Sequence, residues 1–89
     1  MERLTNDQIQ SALATLDGWA LRDNALQRTF EFPSFGDAIA FVNRVAGEAE
    51  AMDHHPDILV EYRNVTLTLS THSAGGITAN DTDLAKRLT

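Results

Sequence analysis

The stretch from Ser34 to Pro56 constrains the fold more than any other part of the chain. Phe35, Ala38, Ile39, Val42, Val45, Ala46, Ala49 and Met52 recur at i, i+3 and i+4 spacing, which gives one helix a single apolar face to bury. Ser34 is a good N-cap, with Asp37 three residues later. Pro56 disfavours helical geometry at His55. The spacing therefore predicts a helix over about Phe35 to Asp53 that stops just before His54-His55. Gly47 inside it weakens the helix by about 1 kcal/mol relative to alanine. Directly afterwards the period changes from helical to alternating. Ile58, Val60 and Tyr62 share one face of a strand, and Val65, Leu67 and Leu69 one face of the next. Arg63-Asn64 is the expected turn of that hairpin, and Thr66, Thr68 and Ser70 line its opposite face.

The N-terminal part repeats this grammar. Thr5-Asn6-Asp7-Gln8 has the form of a capping box, and Ile9, Ala12, Leu13 and Leu16 follow at helical spacing, so a helix is expected from about Asn6 to Leu16. Asp17-Gly18 ends it. Two strands are expected near Trp19–Arg22 and Ala25–Phe32, joined by Asp23-Asn24, a pair that tolerates positive φ. Leu26, Phe30 and Phe32 share a face on which Arg28 is the exception. After the Gly75-Gly76 loop, Thr78-Ala79-Asn80-Asp81 opens a last helix carrying Leu84, Ala85 and Leu88. The order α-β-β-α-β-β-α predicts an α+β two-layer sandwich in one domain spanning residues 1–89, a four-stranded antiparallel sheet with its helices on one face.

A chain of 89 residues builds only a small core, and with no cysteine it has no disulfide to reinforce it. Packing and self-association are the remaining means. The sheet's open edges supply a surface for it, so a homo-oligomer, a dimer or tetramer, is expected. Seven basic and thirteen acidic residues give a net charge of −6, with the basic ones scattered. Direct nucleic-acid binding is disfavoured. No apolar run is long enough to span a bilayer, and the first residues lack the order of a signal peptide, so no membrane partner and a cytoplasmic location are expected.

All three histidines fall between positions 54 and 72. If Arg63-Asn64 is a two-residue turn, Tyr62 faces Val65 and Ile58 faces Leu69, and the register continued outward sets His55 opposite His72. Directly opposed residues have Cβ atoms about 4.5–5.5 Å apart. The open end of the hairpin should then gather His54, His55, Thr71 and His72. Glu50 lies four residues before His54, on the same helix face if that turn persists, and Asp53 precedes the pair. A neighbouring carboxylate orients an imidazole and favours its charged form. Ser70, Thr71 and Ser73 add hydroxyls. The set suits general acid–base work near neutral pH. Metal binding is the rival use of His54, His55 and His72 with Asp53 or Glu50. Adjacent histidines point in different directions, and neither H-x-x-x-H nor H-x-H is present, so no metal site is expected. Ser70 and Ser73 lack the context of an activated nucleophile.

Glu50-Ala51-Met52-Asp53-His54-His55-Pro56, followed by Tyr62, His72 and Asp81, is similar to the signature of the pterin-4a-carbinolamine dehydratases. Leu69 to Thr78, Leu84-Ala85 and Leu16-Asp17-Gly18-Trp19 extend the match over nearly the whole chain. The resemblance implies removal of water from 4a-hydroxytetrahydrobiopterin, or a bacterial equivalent, to give the quinonoid dihydropterin. That reaction recycles the cofactor of aromatic amino acid hydroxylases and uses no metal or organic cofactor. It further implies that His54, His55 and His72 are the catalytic, pterin-contacting imidazoles. Asp53 and residues Ser70 to Ser73 would help bind the pterin ring, and Trp19 would line the pocket. Two positions depart from the pattern: Ser73 stands where some members carry an acidic residue, and Gly76-Ile77 replaces a common glycine–leucine. The alternative function within the resemblance is a non-catalytic interaction module. Animal members act as dimerisation cofactors of a homeodomain transcription factor, and other relatives that assist enzyme assembly often lose part of the histidine set. This chain keeps all three histidines.

Overall fold

The structure, a computed structural model, describes residues 2–89. Its elements are α1 (Asn6–Leu13), β1 (Ala20–Arg22), β2 (Ala25–Glu31), α2 (Phe35–Met52), β3 (Asp57–Glu61), β4 (Asn64–Leu69), a 3₁₀ turn at His72–Ala74, and α3 (Ala79–Leu88). The four strands form one antiparallel sheet in the order β1-β2-β4-β3. Leu26, Val65, Leu67 and Leu69 project from one face of it and are fully buried. They pack with Ile9 of α1, Ala38, Phe41 and Val45 of α2, and Leu84, Ala85 and Leu88 of α3. This is the expected α+β architecture, with the helices covering one face.

The local expectations hold at the caps. Thr5 closes α1 with a full capping box to Gln8, Ser34 caps α2 through the Asp37 N–H, and Thr78 caps α3 in a second capping box with Asp81. Asp23 and Asn24 both have positive φ, as a type I′ turn requires at its two central residues. Arg28, the polar exception on β2, lies with its guanidinium 4.3 Å from the Phe30 ring centroid and donates to the Asp17 carbonyl at 2.8 Å. Gly18 makes room for it: φ there is +85°, and a Cβ would sit 2.7 Å from Arg28 Nε.

Three expectations need correction. α1 ends at Leu13 rather than Leu16. Thr15 donates its hydroxyl to the Ala12 carbonyl, and the amides of Thr15 and Leu16 make i→i−3 bonds, so the last turn tightens out of α geometry. The buried side of α2 is Ala38, Phe41, Val45 and Ala49, whereas Phe35 is 51% exposed and Ala46 is exposed. The apolar arc is wider than the contact, and aromatic packing chooses which part turns inward: Phe41 lies 4.6 Å from Phe30 and 5.0 Å from Phe32, centroid to centroid. The β3–β4 turn is Tyr62-Arg63, with Val60 opposite Val65 and Ile58 opposite Leu67. That register is slipped by two residues from the expected one. A slip of two leaves every side chain on its own face, so alternation alone does not distinguish the two pairings.

Candidate active site

The chain leaves α2 through a left-handed residue. Asp53 has φ 49° and ψ 44°; its N–H bonds the Glu50 carbonyl at 3.2 Å, and the His54 N–H bonds the Ala49 carbonyl at 3.0 Å. These two bonds form a Schellman closure, and aspartate is among the few residues that adopt αL at modest cost. The kink ends the helical phase, so Glu50 and His54 do not share a face as expected. Glu50 Oε1 instead meets His55 Nε2 at 2.9 Å, in an exposed pair. His54 turns inward, where its side chain is only 11% exposed.

His54 Nε2 meets Asp81 Oδ1 at 2.5 Å. Asp81 is fully buried and stands at the third position of α3, where the capping box draws its carboxylate back toward the helix start. Its other oxygen, Oδ2, accepts from the Thr78 N–H at 2.9 Å and from Thr71 Oγ1 at 2.9 Å. Thr71 Oγ1 also bonds Thr78 Oγ1 at 2.8 Å, and Thr78 Oγ1 accepts from the Asn80 N–H. Each hydroxyl has one proton to give, so the chain has one direction: Thr78 to Thr71 to Asp81. A carboxylate only accepts, so Nε2 of His54 carries the proton toward Asp81 and Nδ1 is the nitrogen left for a ligand. Among the described residues no buried side-chain polar atom lacks a partner.

Asp81 belongs to the signature run, and its place in the site comes from the fold. The readable signal was the Thr78-x-x-Asp81 capping box, which aims a carboxylate at the point where β4 runs out. His72 opens the 3₁₀ turn directly after Thr71. With Ser70, Thr71, Gly75, Gly76, Asp23 and Asn24 it lines a pocket of about 250 Å³. The register corrects the expected His55–His72 pairing: β3 begins at Asp57, and the pairing that continues it outward does not oppose those two residues. Of the residues expected to contact the pterin, His72, Ser70 and Thr71 line the pocket, while His54 lies outside its lining, as do the exposed His55, Asp53 and Ser73. Trp19 is in the core, edge-on to Phe30, with its indole N–H donating to Thr89 Oγ1 at 3.0 Å. No cluster of three or more His, Asp or Glu residues is placed to hold a metal ion among the described residues. None of their helices is long and apolar enough to cross a membrane.

Comparison with known proteins gives a consistent result. The family model for pterin 4 alpha carbinolamine dehydratase matches residues 2–89. A protein of Mycobacterium avium (strain 104), provisionally named a pterin-4-alpha-carbinolamine dehydratase, is 56% identical over 86 residues, covering 97% of this chain and 92% of its own. A relative of the same provisional name from Roseiflexus castenholzii is 52% identical over 89 residues, covering 99% of this chain and 96% of its own. Among solved structures, a transcriptional coactivator/pterin dehydratase from Brucella melitensis superposes with a TM-score of 0.94 at 39% identity, over 98% of this chain and 95% of that one. A pterin dehydratase-like protein described as a RuBisCO assembly factor of the alpha-carboxysome shares the fold, with a TM-score of 0.64 at 24% identity, over 79% and 81% of the two chains. With its fold, its histidine-bearing signature and a match along essentially its full length, the chain belongs to the pterin-4a-carbinolamine dehydratase family of dehydratase enzymes.

Proposed function

We propose that the protein dehydrates 4a-hydroxytetrahydropterins by histidine acid–base catalysis, yielding the quinonoid dihydropterin and so recycling the cofactor of aromatic amino acid hydroxylases. The observation that carries this reading is the Asp81 carboxylate, which ties His54 to Thr71, the residue before His72. In the reaction the bond from C4a to its hydroxyl breaks, and the oxygen leaves as water with a proton supplied by an acid. A base removes the N5 proton, and the electron pair freed there forms the C4a–N5 double bond. His54 and His72 share these two roles, and proton transfer by positioned groups of this kind contributes about 10²–10⁴-fold. His54 would act through Nδ1, because Asp81 occupies Nε2. His55, held by Glu50, positions the substrate, with Ser70 and Thr71 on the pocket wall. No metal or organic cofactor enters this scheme, and a cytoplasmic setting suits a chain without cysteine.

The test is carbinolamine decay followed by stopped flow in the presence of a chelator. Wild-type protein accelerates the decay, and His72→Ala lowers the rate by about 100-fold or more. His72→Ala at the wild-type rate would overturn the assignment. We also propose that the protein is a homo-oligomer, a dimer or tetramer. β3 is an edge strand carrying Leu59, 54% exposed, and leading to Tyr62, 71% exposed. An open, apolar strand edge is a template for pairing with a second copy.

A further inference from the structure

The pocket beside His72 has a second wall that the catalytic scheme leaves without a task. It is the β1–β2 turn, Asp23 and Asn24. The wall is built rather than incidental. Asn24 Nδ2 donates to the Gly75 carbonyl at 2.8 Å, and Arg3 Nη1 donates to the same oxygen at 3.3 Å. Gly76 is buried beneath them; a Cβ there would fall 2.5 Å from Arg3 Cδ and 3.1 Å from Asn24 Nδ2. These contacts fix the turn against the loop that carries His72. They also leave particular groups of this turn without protein partners. Asn24 spends one of its two amide N–H groups on Gly75, and its amide oxygen remains to accept. Among the described residues the Asp23 carboxylate makes no side-chain hydrogen bond or ion pair. With a carboxylate and an amide oxygen against one remaining amide N–H, this turn is rich in acceptors, and the group that complements it is an N–H-rich edge.

We propose that the β1–β2 turn is the recognition wall of the substrate site, with the Asp23 carboxylate and the Asn24 amide oxygen accepting from the amino-pyrimidinone edge of the pterin. The inference rests on the pterin reading above and deepens it. The shape of the ring supports it. The carbon bearing the 2-amino group lies directly across the six-membered ring from C4a. A pterin whose C4a faces His72 therefore turns its 2-amino and N3–H donors away from it, toward the rest of the lining, which includes the β1–β2 turn. A carboxylate meets two parallel N–H donors in bidentate fashion, which adds orientation as well as affinity.

The test uses Asp23→Asn, which keeps a residue tolerant of the positive φ at this position. An unreactive 7,8-dihydropterin and its 2-desamino analogue are titrated calorimetrically into wild-type and variant protein of equal thermal midpoint. Wild-type protein should prefer the amino compound by about 10- to 100-fold, the range of a charge-assisted hydrogen bond. Asp23→Asn should erase most of that preference and raise KM for dehydration by a similar factor. Wild-type protein that dehydrates the carbinolamine, with Asp23→Asn binding both compounds unchanged, overturns the recognition wall and leaves the dehydratase reading intact. Wild-type protein that neither binds the dihydropterin nor turns over the carbinolamine overturns both.

Discussion

Asp81 gathers more of this molecule than any other residue. One carboxylate caps α3, receives the Thr71 hydroxyl and holds His54. Asp81→Ala would leave a largely buried imidazole, a hydroxyl and a backbone N–H without their acceptor, so a stability loss of about 3–5 kcal/mol is expected, read from thermal or urea unfolding. Asp81→Asn keeps the shape but can donate where aspartate only accepts. His54 can then present the other tautomer, and dehydration should fall by about 100-fold or more while most of the fold survives, as stopped flow and circular dichroism on the same sample would show. An Asp81→Asn protein with a wild-type rate would mean that the tautomer of His54 is immaterial. At this scale the sequence was partly legible. The three histidines and the hydroxyls around His72 could be located by position alone. The partners could not, because Asp53 adopts αL, and that single backbone conformation sends His54 to Asp81 and leaves Glu50 to His55.

Element identities and order followed from period and caps, since the apolar spacings of α2 and of the two hairpins admit few alternatives. The β3–β4 register did not, because pairings two residues apart bury the same faces. The observed turn puts Tyr62 at φ 54°, a conformation that costs a non-glycine residue about 1–2 kcal/mol. Tyr62→Asn should recover part of this and raise the thermal midpoint by a few degrees; a lowered midpoint would mean that the Tyr62 ring contributes more than its backbone costs. The register also fixes which β3 amides face outward. Residues next to the two-residue turn exchange hydrogen bonds with β4, so Asp57, Leu59 and Glu61 are engaged and Ile58 and Val60 present their N–H groups to the free edge. Ile58→Pro therefore spares the sheet's own ladder and blocks pairing with a second copy. Sedimentation should show the wild-type oligomer reduced to smaller species. An oligomer that persists in Ile58→Pro would place the interface elsewhere.

The whole molecule brings the end of α2, the end of β4 and the start of α3 to one place. A buried carboxylate joins them, and one pocket opens at the end of β4. Fold class was readable because two hairpins with amphipathic helices before, between and after them leave one sheet face for the helices to cover. The pocket's second wall was not, since it depends on Asn24 reaching Gly75 across 51 positions of sequence. In the proposed reaction His54 and His72 work on the same chemical step. The direct measurement is the single-turnover dehydration rate of wild-type protein, His54→Ala, His72→Ala and the double variant, with chelator present throughout. Paired acid and base predict that each single change removes about 10²–10⁴-fold and that the double change costs little more than either alone. Singles that retain the wild-type rate, or losses that multiply as if the two rings acted independently, would contradict it.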